Sequence, residues 1–157
     1  MKVLQLQPQT REALSQHARD TFPDECCGAI LAIDGREEVR RITNVQNAMH
    51  AKDPQTYPRD ATTAYFMQPK ELFAVIQAVD EGGAVLAAFY HSHPNHDAYF
   101  SDEDKAQALF GDEPSYPDTS YVVISLYDRE VRTMRAYGWD DGSHTFVETV
   151  LQASGGV

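Results

Sequence analysis

The chain has 157 residues, 42% of them hydrophobic, and 24 acidic against 13 basic side chains leave a formal net charge of −11. At this length roughly 70% of the unfolded surface is buried on folding, so one domain can hold a core without cross-links. The apolar fraction excludes a disordered chain, and the charge argues against a phosphate-backbone binder, which needs a basic patch where this chain has no run longer than Arg40-Arg41.

Met1–Thr10 turns polar at Gln5 and lacks the apolar stretch of a secretion signal. Thr10 to about Thr21 reads as an amphipathic helix, capped by Thr10, with a stripe of Ala13, Leu14, His17 and Ala18. Cys26 and Cys27 are adjacent, which makes a disulfide framework implausible and places their side chains on opposite faces of a strand. Cys27–Ile33 and Glu37–Ile42 flank Asp34-Gly35, a strong hairpin signal. Asn44–Asp60, with Pro54 and Pro58, reads as a long loop of the kind that often carries function. A short strand is expected over Thr62–Met67.

Pro69 suits a first helical turn, and Leu72, Phe73, Val75, Ile76 and Val79 recur at helical spacing up to Gly82-Gly83. Ala84–His91 is almost continuously apolar, as a central strand buried on both faces would be, and far too short to cross a bilayer. Ser101 opens a helix expected to run to about Phe110, followed by a loop over Gly111–Thr119. Tyr121–Tyr127 and Val131–Tyr137 are strands joined tightly through Asp128-Arg129, and Thr145–Leu151 supplies a last strand. The pattern is a single α/β domain, a mixed sheet flanked by about three helices. We expect a soluble, cytoplasmic protein with neither a nucleic-acid nor a membrane partner; no segment decides its oligomeric state.

Three of the six histidines fall between positions 91 and 96. On a strand, His91 and His93 project to one face and Ser92 to the other, so two imidazoles can address one point before Pro94 turns the chain away. Asp104, one turn into the following helix, can return a carboxylate to that point. Two histidines and one carboxylate form the three-ligand set of catalytic zinc, which leaves a position for water, although non-haem iron takes the same set. Ser101-x-x-Asp104 also matches a helix capping box, which would fix the Asp104 side chain. His96 could serve as a ligand but is read rather as a loop histidine near the site, and His17, His50 and His144 lack an evident partner.

Taken jointly, His91-Ser92-His93-Pro94, seven residues, then Ser101-x-x-Asp104 resembles the JAMM (MPN+) metallopeptidase signature, and Pro23–Gly28 resembles the setting of its upstream glutamate in small bacterial members. The resemblance implies a cytidine-deaminase-like JAMM/MPN fold, with His91, His93 and Asp104 holding Zn²⁺, Glu25 as general base and Ser101 polarising the carbonyl. It further implies hydrolysis of an amide after the C-terminal glycine of a ubiquitin-like or sulfur-carrier protein, joined there to a lysine or to a single amino acid such as cysteine. The loops over 44–60 and 111–119 would wall the groove for that tail. A non-catalytic MPN scaffold and a metal-dependent hydrolase of another bond are the alternatives. The acidic residues Asp102, Glu103, Asp112, Glu113 and Asp118 would surround the cleft, either steering a basic partner or only keeping the surface solvated.

Overall fold

The computed structural model describes residues 2–154. In chain order the elements are β1 (Val3–Leu6), α1 (Pro8–Thr21), β2 (Cys27–Ile33), β3 (Arg36–Ile42), α2 (Gln46–Lys52), α3 (Pro69–Gly82) and β4 (Val85–Pro94). They continue with α4 (Asp102–Gln107), the short strands β5 (Leu109–Phe110) and β6 (Glu113–Pro114), then β7 (Ser120–Tyr127), β8 (Glu130–Asp140) and β9 (Thr145–Ala153). Seven strands make one mixed sheet in the order β1-β9-β8-β7-β4-β2-β3, and β5 and β6 pair separately. Among the described residues no helix is long and apolar enough to cross a membrane.

The two tight turns form as their residues dictate. Asp34 and Gly35 at φ 50° and 78° join β2 to β3, and Asp128 and Arg129 at 50° and 68° join β7 to β8. Two successive positive φ values match the twist of the flanking strands. β4 lies in the middle of the sheet, antiparallel to β2 and parallel to β7, and it is buried from Ala88 to Pro94. The parallel β4–β7 pairing requires a crossover, and α4 with the β5–β6 hairpin occupies it. That crossover begins at the carboxyl end of β4, where open α/β sheets place their ligands.

Each face of the sheet carries its own core. Cys27, Ala29, Leu31, Phe89, Tyr121 and Val123 pack on one face, with Leu72, Val75 and Val79 of α3 against them. Cys26, Ile30, Ala88, Tyr90, Val122 and Ile124 pack on the other, against Leu14 and Ala18 of α1. The adjacent cysteines thus serve opposite cores. Gly28 is required where the second core is tightest: a Cβ there would lie 2.5 Å from Arg40 O and 2.5 Å from Tyr90 Oη.

Several elements differ from the sequence expectation. β1 forms at the N-terminus because β9 supplies a parallel partner. α1 starts at Pro8, with Gln7 at the cap position and Thr10 buried, because proline's fixed φ suits the first turn. The expected loop over 44–60 contains the short helix α2. Thr62–Met67 forms no strand beyond one bridge between Asn44 and Met67. There the Asn44 side chain replaces a partner strand, donating to Ala64 O and accepting from Phe66 N. α4 stops at Gln107, not Phe110, since Leu109 and Phe110 turn at Gly111 (φ 65°) to pair with Glu113 and Pro114.

Candidate metal centre

β4 delivers His91 and His93 to the α3-bearing face, and the start of α4 delivers Asp104 opposite them. His91 Nε2 and His93 Nε2 stand 3.1 and 3.2 Å from Asp104 Oδ2, and 3.2 Å from each other. All three residues are buried, and they form the one such group among the described residues. A tetrahedral ion at about 2.0–2.1 Å from each ligand holds those ligands roughly 3.3 Å apart, so the spacing fits zinc or a similar cation.

The donor chemistry gives a second test of fit. His93 Nδ1 lies 2.8 Å from Asp97 O, a carbonyl that only accepts, so Nδ1 carries the proton and a neutral ring presents a lone pair at Nε2. A lone pair facing a carboxylate oxygen is repulsive unless a proton or a cation lies between them. Burial alone would raise the Asp104 pKa, but positive charge placed beside it, as protonated His91 and His93 would supply without an ion, outweighs burial and holds the carboxyl well below its usual range. Tyr65 stacks on His91 with ring centroids 4.6 Å apart, and Tyr99 meets His93 edge-on at 5.1 Å.

Ser101 and Asp104 complete a reciprocal capping box: Asp104 N donates to Ser101 Oγ and Ser101 N donates to Asp104 Oδ2, both at 3.0 Å. The carboxylate is thereby aimed at the histidines by the helix that carries it. The Ser101 Oγ accepts in this box, which leaves its O–H as a donor toward the cavity it lines.

Glu25 reaches the same cavity from the loop before β2. This cavity of about 70 Å³ is lined by Glu25, Arg59, His93, Ser101 and Asp104, among others. Glu25 is only 5% exposed, and its Oε1 is buried without a hydrogen-bond partner. Burial pushes its pKa well above the ordinary value, Asp104 and Glu103 add to the shift, and Arg59 opposes it.

The loop around Glu25 is fixed from three sides. Glu25 N donates to Ala61 O at 2.8 Å, and Asn44 Nδ2 donates to Glu25 O at 2.9 Å. Cys26 N donates to Ser92 Oγ at 2.7 Å, and Ser92 N donates back to Cys26 O at 3.1 Å. Ser92 does face away from the histidines, and there it ties the Glu25 loop to the strand that carries them.

The structure therefore brings together all five residues singled out in the sequence: Glu25, His91, His93, Ser101 and Asp104. His96 lines the cavity but is exposed, with Nδ1 2.6 Å from Asn95 O, and stands outside the three-residue group. Cys27 shares the sheet face of His91, its register partner, but packs in the core there with its thiol 3.4 Å from Ile42 O, outside the three-residue group. Asn44, Arg59 and Tyr65 escaped sequence reasoning, which held no signal for them; Ser92 was placed on the correct face, but its role as a tether, for which a polar residue inside an apolar strand was the available signal, was missed. Beside the centre lies a larger, mostly apolar cavity of about 550 Å³, to which both expected loops contribute through Tyr57, Pro58 and Tyr116, together with Tyr65, Leu72 and Phe89.

The family of prokaryotic homologs of the JAB domain matches residues 7–137. The CysO-cysteine peptidase of Mycobacterium tuberculosis (strain ATCC 25618 / H37Rv) is 29% identical over 143 residues, 91% of this chain and 87% of that one. The desampylase of Haloferax volcanii is 28% identical over 140 residues, 87% of each chain. In fold, a solved structure from Desulfitobacterium hafniense superposes with a TM-score of 0.69 at 21% identity, covering 100% of this chain and 95% of that one. A JAB1/MPN domain protein from Archaeoglobus fulgidus superposes with a TM-score of 0.52 at 12% identity, covering 98% and 99%. With the family matched over most of its length, the chain belongs to the prokaryotic homologs of the JAB domain.

Proposed function

We propose that this chain is a zinc-dependent metallopeptidase of JAMM type that hydrolyses the amide bond after the C-terminal glycine of a ubiquitin-like or sulfur-carrier protein. The observation that carries the reading is the convergence of His91 Nε2, His93 Nε2 and Asp104 Oδ2 beside an unpartnered, buried Glu25 carboxyl. The peptidase and desampylase names of the two relatives support the substrate class.

His91, His93 and Asp104 hold the ion. When bound, zinc supplies a Lewis acid that acidifies water and polarises a carbonyl. Glu25 takes the proton of the attacking water and passes it to the leaving amine as the C–N bond breaks, while the water oxygen stays on the glycine carboxyl. Burial raises its pKa above the ordinary carboxylate value, the direction that favours a group which must hold that proton before releasing it. The Ser101 O–H donates to the carbonyl oxygen as negative charge develops there, an interaction worth about 3–4 kcal/mol. The apolar cavity beside the centre takes the extended tail, with Tyr65 forming a wall common to both. A cytoplasmic setting suits Cys26 and Cys27, both buried and free.

The test is incubation of zinc-loaded protein with carrier–cysteine and carrier–lysine fusions, read by mass spectrometry. Cleavage after the terminal glycine of at least one is expected. No cleavage of either, with metal confirmed bound, overturns the reading.

A further inference from the structure

The small cavity that holds Glu25 contains one feature the hydrolytic steps leave unused. Among its lining residues Glu25 and Asp104 are acidic, and Arg59 is the single Lys or Arg. Its charge opposes the upward shift of the Glu25 pKa, but that use leaves the end of the guanidinium without a partner among the described residues.

Arg59 is held by its backbone. Its carbonyl accepts from the buried Gln46 Nε2 at 2.9 Å. Two residues on, Ala61 N donates to Asn47 Oδ1 at 2.8 Å, and Ala61 O accepts from Glu25 N at 2.8 Å. The segment bearing the guanidinium is thus bonded directly to the one bearing the general base, which sets their separation. The Arg59 side chain makes one ion pair, from Nε to Glu103 Oε2 at 3.1 Å, and its Nη atoms have no partner among the described residues. That pair is half-exposed and so contributes little on its own. What remains is the two-pronged end of the guanidinium, the geometry that grips a carboxylate. Thr63, exposed on the cavity rim, adds a hydroxyl with no partner among the described residues, whereas the Thr62 hydroxyl is taken by Asp60 Oδ1 at 2.5 Å.

The cavity, about 70 Å³, suits a small leaving group better than a bulky one. The two candidate leaving groups differ in one respect that Arg59 can read. A single amino acid joined through its α-amine carries a carboxylate two bonds from the scissile nitrogen, whereas a lysine ε-amine carries none nearby. We propose that Arg59 grips the α-carboxylate of an amino-acid leaving group, so that the enzyme selects a single amino acid attached to the carrier's terminal glycine over an isopeptide-linked lysine. This rests on the hydrolase reading above and names its leaving group.

The experiment compares kcat/KM for carrier–cysteine and for its α-amide, carrier–cysteinamide, which lacks the carboxylate. A charge-assisted, two-pronged contact predicts about a tenfold to hundredfold preference for the acid in the wild type. In Arg59→Met that preference should collapse toward one, and Arg59→Lys should restore part of it. Glu103→Gln, which removes the ion pair but keeps the guanidinium, should retain the preference. An equal loss on both substrates in Arg59→Met, no preference in the wild type, or loss of preference in Glu103→Gln overturns the proposal. If the metal-loaded wild type cleaves neither substrate, the hydrolase reading fails, and calorimetry then decides the role of Arg59 separately. L-serine should bind the metal-loaded protein more tightly than ethanolamine, and Arg59→Met should abolish the difference; no difference in the wild type overturns the assignment.

Discussion

Ser92→Ala isolates the contact that joins the general-base loop to the metal-binding strand. Ser92 is fully buried, and its Oγ is the acceptor for Cys26 N–H at 2.7 Å. Alanine leaves that buried amide without a partner, at a cost of about 1–3 kcal/mol. For a chain of this length each kcal/mol lowers Tm by about 3 °C, so calorimetry should read a drop of about 3–9 °C. Ser125→Ala is the control: its hydroxyl donates to His96 O, the carbonyl of an exposed residue that water can satisfy, so its loss should cost under about 1 kcal/mol. Activity should also separate them. With one of its tethers gone, the segment carrying Glu25 is free to shift, and kcat should fall in Ser92→Ala by more than unfolding explains while bound zinc stays constant. Equal Tm values for the two variants, or a Ser92→Ala enzyme with unchanged kcat, would refute this reasoning.

Ser101→Ala should lower kcat about a hundredfold through loss of its donor, and lower stability by about 1 kcal/mol through loss of the cap; Ser101→Thr, which keeps both, should retain most activity and most stability. Gly28→Ala should destabilise by about 1–3 kcal/mol in urea denaturation, and adding Tyr90→Phe should relieve only a small part, because Arg40 O and the ring carbon Cζ of residue 90, each 2.5 Å away, stay in the way. Burial, with the charge of Arg41, pushes the His17 pKa down to about 4, against an opposing pull from Asp20. The unfolded chain therefore takes up a proton below about pH 6.5 that the folded chain refuses until about pH 4, so this contribution is full above pH 6.5 and is lost as pH falls between those values. After allowance for solvent screening the loss is about 1–2 kcal/mol, and His17→Gln, which can still bond Tyr90 Oη, should flatten it in denaturant titrations at each pH.

The site was legible where its chemistry is local in sequence. His91 and His93 share a face because a strand has period two, and Ser101 with Asp104 closes a single helical turn; neither fact requires knowledge of the rest of the fold. Glu25 was legible only through its resemblance to a family pattern, since a lone glutamate before a strand carries no signal of where it points. Arg59 and Asn44 were silent because their roles depend on segments brought together by folding: α2, the Ala61–Met67 run and α4 meet only in three dimensions. The same division holds for the fold. The hairpin turns announced themselves in Asp34-Gly35 and Asp128-Arg129, whereas β1 exists only because β9, at the other end of the chain, lends it a partner. Thr62–Met67 has strand composition, yet Asn44 takes two of the backbone groups a neighbouring strand would use. The short helix α2 has no side-chain cap and only one buried residue, so no periodic stripe marks it.

The central claim is that His91, His93 and Asp104 hold the metal while Glu25 moves the proton. The most direct test measures bound zinc and turnover of the carrier–amino acid substrate together, in the wild type, Glu25→Gln and Asp104→Ala. Glu25→Gln should keep one zinc per chain and lose at least about a hundredfold in kcat, whereas Asp104→Ala should lose the zinc and the activity with it. Full turnover by zinc-loaded Glu25→Gln, or undiminished zinc in Asp104→Ala, would contradict the account.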